Sequence, residues 1–81
     1  MRYEVDVTIP EPLGDRTQRF LESACCSANR LIRFEGGTHS ISLTVEVAGM
    51  CREDAIRSAV REVAMIFPAC ESEKYGEPRQ L

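Results

Sequence analysis

Two segments of the chain alternate between apolar and polar residues, and this pattern constrains the fold more than any other feature. In residues 2–9 the apolar positions are Tyr3, Val5, Val7 and Ile9. In residues 39–48 they are Ile41, Leu43, Val45 and Val47. A period of two, with many β-branched residues, is typical of a strand that buries one face. The chain is therefore expected to form a sheet that is apolar on one side and polar on the other.

Two further segments repeat with a period near 3.6, which predicts amphipathic helices. The first runs from Asp15 to Ala28 and is followed by Asn29, a residue that often ends helices. The second runs over about residues 51–67 and ends before Pro68, because proline cannot continue a helix.

A shorter strand is predicted over residues 30–36, with Ile32 and Phe34 facing the core. Gly36 and Gly37 follow, and a Gly-Gly pair between two strand patterns is typical of a β-hairpin. This strand and the next one are therefore expected to pair side by side.

The C-terminal part of the chain has no clear period. Residues 69–75 are expected to form a weak last strand, since their alternation is poor and their charge is high. Residues 76–81 are predicted to be a flexible tail. The element order is then β-α-β-β-α, with a weak β at the end, which is an α+β class of fold.

Strands with one apolar face and two amphipathic helices fit a two-layer sandwich, in which both helices cover one face of an antiparallel sheet. Right-handed crossovers favour the strand order 4-1-3-2. Over residues 2–75 this topology resembles the ferredoxin-like superfold, and we expect a single ferredoxin-like domain over residues 1–75. That superfold hosts many unrelated functions, so the resemblance implies no activity.

Composition narrows the function. The net charge of −3 argues against a general binder of phosphate backbones. Without an apolar run of about 18 residues or an export signal, the chain is expected to be cytoplasmic, with free thiols and no membrane contact. The basic residues are arginine except for Lys74, a bias typical of GC-rich genomes, which leads to the hypothesis of an actinobacterial or actinophage accessory protein.

No catalytic residue, cofactor or metal site is predicted. Cys25, Cys26 and Cys51 are expected at one end of the domain and Cys70 with His39 at the other, so four metal ligands do not converge. Cys51 is the candidate reactive thiol, because a helix N-terminus favours a thiolate, although the acidic residues after it oppose one.

The leading hypothesis is a small non-enzymatic protein-interaction module that forms a homo-oligomer. A small core gains stability when a second copy covers part of its surface. The candidate interaction residues are Leu31, Arg33 and Phe34 on the second strand and Met65 on the second helix. Leu31 and Met65 lie off the main apolar stripes and are expected to be exposed.

Two alternative hypotheses belong to other classes. The Pro12-Leu13-Gly14 turn before the first helix is similar to the turn of small regulatory ligand-binding domains of the ACT type. The other alternative is nucleic-acid binding through helix arginines, namely Arg16, Arg19, Arg57 and Arg61. The polar sheet face lacks aromatic side chains on which bases could stack, so RNA binding through the sheet is not expected.

Overall fold

In the computed structural model of the protein, the described residues form five strands and two helices. These residues are 1–26, 30–72 and 74–81, and for Cys26 the backbone alone is described. The elements are β1 (Arg2–Ile9), α1 (Asp15–Cys26), β2 (Leu31–Gly36), β3 (Ile41–Ala48), α2 (Arg52–Ile66), β4 (Lys74–Tyr75) and β5 (Arg79–Gln80). The molecule is an α+β sandwich, as the sequence predicts.

The sheet is antiparallel, with neighbouring strands in the order β2-β3-β1-β4, and β5 also pairs with β1. β1 and β3 are paired along their whole length. Val5 lies opposite Val45 and Val7 opposite Leu43, and all four side chains are fully buried. The two alternating segments are therefore in register, which places both apolar sets on the same face.

Both helices cover this apolar face. α2 packs on β1 and β3 through Ala55, Ala59 and Val63, whose small side chains let the helix lie close to the sheet. α1 packs on β2 and adds Leu21 and Ala24 to the same core cluster. The predicted arrangement, with one helix layer and one open sheet face, is confirmed.

β2 departs from the predicted pattern at a β-bulge. Its register with β3 shifts between Leu31 and Arg33, so Ile32 is an extra residue. Leu31 is consequently buried, with 3% of its surface exposed, while Ile32 is 40% exposed. The prediction that Ile32 faces the core is wrong, because one inserted residue changes the face on which its neighbours lie. Phe34, beyond the bulge, is half-buried against the core as predicted.

The C-terminal residues line the edge of β1 that β3 leaves open. The N–H of Gly76 donates to the backbone oxygen of Asp6 at 2.8 Å, next to β4. The sequence predicts a flexible tail over residues 76–81, whereas Arg79–Gln80 forms β5 against β1. A strand this short carries no periodic signal, and β1 determines where it pairs.

α2 begins after Cys51 and ends before Phe67, close to the predicted bounds. The predicted end of the first helix at Ala28, with Asn29 after it, lies outside the described residues. In the part of the chain that the structure describes, neither helix is long and apolar enough to cross a membrane.

Candidate functional site

The four predicted interaction residues fall on two separate surfaces. Arg33 and Phe34 belong to β2 at the edge of the sheet, and Leu31 and Met65 line a groove between the helices. Met65 is 72% exposed, which confirms the predicted exposure. The same prediction is wrong for Leu31, which is buried because the bulge turns its side chain under the helices.

The first surface is the open edge, which we define as the side of β2 that faces away from β3. No described residue pairs with this side. The N–H of Gly37 donates to the oxygen of Ser40 at 2.9 Å, which closes the hairpin. Because backbone groups alternate in direction along a strand, Phe34 and Gly36 direct their N–H and C=O groups away from β3. These groups can pair with another strand.

Side chains along the open edge alternate between the two faces of the sheet. Arg33 and Glu35 lie opposite Thr44 and Ser42, on the polar face away from the helices. Phe34 points to the helix side. The open edge therefore presents one positive and one negative charge, two residues apart, with an aromatic side chain between them on the other face.

The polar sheet face carries a network of ion pairs. Two guanidinium nitrogens of Arg79 in β5 donate hydrogen bonds to the carboxylate oxygens of Asp6, at 3.0 and 3.4 Å. A third nitrogen, Nε, lies 3.7 Å from a carboxylate oxygen of Glu4. Arg33 reaches Glu4 from the other side at 3.5 Å. The hydroxyl of the buried Thr44 donates to Asp6 at 2.5 Å. The carboxylates of β1 are thus neutralised by Arg79 of the adjacent β5 and by Arg33, which reaches across β3 from β2.

These contacts hold Asp6 in its ionised form. The hydrogen bond from Arg79 lowers the pKa of the Asp6 carboxyl, partial burial opposes this, and the bond from Thr44 lowers the pKa further. A carboxylate held ionised in this way is a weak base, and general acid–base catalysis works best with a pKa near the working pH. A shallow depression of about 290 Å³ borders Asp6, and its other lining residues are Arg33, Phe34, Glu35, Ser42 and Thr44.

The second surface is the interhelical groove, a recess of about 170 Å³ between α1 and α2. Its floor is the buried pair Leu31 and Val45. Phe20, half-exposed, also contacts Phe67 edge to face with ring centres 6.1 Å apart. The groove is lined by Phe20, Ala24, Arg30, Leu31, Val45, Glu62, Met65 and Ile66.

The lining of the groove is mostly apolar, with one charge of each sign. Arg30 and Glu62 form no ion pair with any residue in the described ranges. The sequence signal for this groove is Met65, which lies off the apolar stripe of its helix. The apolar stripe of the first helix includes Phe20, whose exposure depends on how far apart the two helices lie.

Cys51 and Cys70 lie at opposite ends of α2, which confirms their predicted separation. Cys51 is exposed at the N-cap of α2 and makes no capping hydrogen bond with its side chain. Its reactivity stays a prediction. Cys70 donates to a carboxylate oxygen of Glu11 at 3.3 Å, and this bond, burial and the negative charge raise the pKa of the Cys70 thiol. The side chain of Cys26 lies outside the described residues.

In residues 1–26, 30–72 and 74–81, no group of three or more His, Cys, Asp or Glu side chains is placed to hold a metal ion. His39 is exposed in the hairpin turn.

The structure contains the exposed helix arginines and the turn before α1 on which the two alternative hypotheses depend, but it adds no further observation in favour of either hypothesis. The four arginines considered for nucleic-acid binding are exposed on α1 and α2. In the turn before α1, the N–H of Leu13 donates to the oxygen of Gly37 at 3.2 Å, so the turn fastens α1 to the hairpin. Ligand binding at this turn and nucleic-acid binding both stay predictions.

No family model matches the chain, and neither the search of curated proteins nor the search of solved structures finds a match. Function is therefore inferred from this chain's own residues.

Proposed function

We propose that this protein is a small non-enzymatic interaction module that binds a second copy of itself through the open edge of β2. The observation that carries the proposal is that the open edge is complementary to itself in charge. We also propose that the topology is ferredoxin-like, with its fourth strand divided into β4 and β5.

The self-complementarity follows from the spacing of three residues. If two β2 strands pair antiparallel with the two-fold axis at Phe34, Arg33 of each copy lies opposite Glu35 of the other. Phe34 then lies opposite its own counterpart on the helix side. Opposite charges and aromatic pairs directly across two strands each contribute about 0.2–1 kcal/mol. The contact contains two charge pairs because of the two-fold axis.

The backbone supports the same register. In such a pair the outward N–H and C=O groups of Phe34 bond to the same groups of the second copy. The bulge next to Leu31 limits the regular part of the strand to residues 33–36. A short edge that ends in a bulge disfavours unlimited strand addition and leaves few registers to choose from.

The opposite edge of the sheet is less available for pairing. β4 and β5 form this edge and have two residues each, so their outer sides offer few unpaired backbone groups, and Arg79 fastens β5 to Asp6. Pairing through β2 would give a continuous sheet across two copies, with all helices on one side. Removing this edge from water would add burial to a domain whose own core is small.

The test is an exchange of the two charges, measured by sedimentation equilibrium at low salt. Glu35→Arg places like charges opposite each other at both contacts, so we expect the dissociation constant to rise about tenfold or more. The double variant Arg33→Glu with Glu35→Arg restores opposite charges and should recover most of the affinity. The control is Glu53→Arg, the same change at an exposed position on α2.

Two results would contradict the proposal. One is a wild-type protein that stays monomeric at high micromolar concentration. The other is a Glu35→Arg variant that associates as strongly as the Glu53→Arg control. Circular dichroism of each variant checks that the fold is retained, which matters for the double variant because Arg33→Glu replaces the ion pair with Glu4 by two like charges.

A further inference from the structure

The interhelical groove presents an apolar recess and a projecting apolar side chain on the same surface. Its recess of about 170 Å³ has the size of one large side chain and a fully apolar floor. Beside the recess, Met65 projects from α2 with 72% of its surface exposed. A long unbranched thioether side chain adapts to irregular recesses better than a branched one.

We propose that the interhelical groove is a second self-interface, through which dimers paired at β2 join into larger assemblies. This inference rests on the proposed function. In a two-fold contact between grooves, Met65 of each copy enters the recess of the other. A surface that offers both a projection and a recess fits its own copy, whereas a recess alone would fit any partner with a suitable apolar side chain.

The charges at the groove favour the same occupant. Arg30 and Glu62 both line the recess and are without an ion-pair partner among the described residues. A two-fold contact brings Arg30 of one copy towards Glu62 of the other, and the reverse, so both charges gain a partner. Within one chain the groove separates them, so they do not compensate each other.

The two proposed interfaces lie on different sides of the molecule. The interhelical groove opens in the helix layer, while the open edge of β2 lies at the side of the sheet. One copy can therefore use both surfaces at once. Two different two-fold interfaces per chain give assemblies larger than a dimer, and a closed tetramer forms when the two axes meet at right angles.

Sedimentation velocity over a range of concentrations separates the two interfaces. The variants are Met65→Glu for the groove, Glu35→Arg for the open edge, and the two combined. The matched control is Met50→Glu, which places the same charge at a methionine that is 88% exposed in the loop before α2. Because Met65 is on the surface, Met65→Glu should keep the fold, and a melting curve verifies this.

The expected result is that the wild-type protein and the Met50→Glu control form species larger than a dimer. Met65→Glu should stop at the β2-paired dimer, with the second association weakened about tenfold or more. Glu35→Arg should stop at a dimer formed through the groove, and the combined variant should be monomeric.

The inference is overturned if Met65→Glu assembles like the Met50→Glu control, or if the wild-type protein stops at a dimer that Glu35→Arg disrupts. The second result leaves the proposed function in place and points to a partner of different sequence for the groove. If Glu35→Arg has no effect but Met65→Glu converts a dimer into a monomer, the proposed β2 contact fails while the groove contact stands.

Discussion

Replacing Thr44 with valine tests how the polar sheet face contributes to stability. The side chain of Thr44 is buried, with 5% of the residue exposed, and its hydroxyl donates to Asp6 at 2.5 Å. Valine has nearly the same shape and the same branching, and it suits a strand. The substitution therefore removes one hydrogen bond and leaves no unpaired polar atom on the new side chain.

The loss of stability expected for Thr44→Val depends on the charge and the exposure of its hydrogen-bond partner, Asp6. A hydrogen bond to a charged group contributes about 1.5–3 kcal/mol to stability. The side chain of Asp6 is 36% exposed, so water can replace part of what Thr44 supplies. Screening at such a site reduces the expected loss to about 1 kcal/mol. In a domain of this length, that loss lowers the melting temperature by about 4–8 °C.

The loss should depend on pH in a defined direction. Hydrogen bonds from Arg79 and then Thr44 lower the pKa of Asp6 below its ordinary value of 3.8. A lowered pKa in the folded state gives stability that is present above the unfolded pKa and is lost as the pH falls through the folded pKa. The difference between wild type and Thr44→Val should thus be largest near neutral pH and shrink once Asp6 is protonated.

Urea unfolding followed by circular dichroism, at neutral pH and again in acid below the pKa of Asp6, measures both effects. Thr8→Val is the matched control, because Thr8 of β1 lies on the same polar face of the sheet as Thr44 and makes no side-chain hydrogen bond with a described residue. A Thr44→Val variant that is as stable as wild type at neutral pH, or that loses as much stability in acid, would show that the hydrogen bond to Asp6 does not stabilise the fold.

Two further pairs of variants test the local geometry of β2 by thermal melting. Leu31→Ala should cost about 2–4 kcal/mol because Leu31 is buried, whereas Ile32→Ala should cost less than about 1 kcal/mol; the reverse ranking would contradict the bulge. Gly36→Ala would bring a Cβ within 2.6 Å of the Cβ of Leu13, so it should destabilise by about 1–3 kcal/mol. The control is Gly37→Ala, because a Cβ at Gly37 meets no atom within 4 Å. Equal melting temperatures for Gly36→Ala and Gly37→Ala would exclude the clash with Leu13.

The sequence predicts only some of the residues that form the interaction surfaces and the ion-pair network. Met65 could be recognised because it lies off the apolar stripe of its helix, and Arg33 because the strand pattern put it on the polar face. The network around Asp6 could not, since its main partner Arg79 lies far along the chain in a segment without periodicity. Contacts between distant residues leave no local trace in a single sequence.

The repeating patterns by themselves determined the central sheet and the helices. A strand with one buried face must alternate, and a helix with one buried face must repeat near 3.6, so β1, β3, α1 and α2 can be read locally. The pairing of β1 with β3 followed as well, because one register alone puts both apolar sets on the same face.

The tertiary structure decided what happens at the margins of the sheet and between the helices. The bulge in β2 exchanges the exposure of Leu31 and Ile32, and a pattern of six residues cannot reveal one extra residue. β5 exists because β1 offers it an unpaired edge, and the interhelical groove exists because α1 and α2 rest on different strands. These features arise from the fit of distant parts, which the order of residues along one element does not encode.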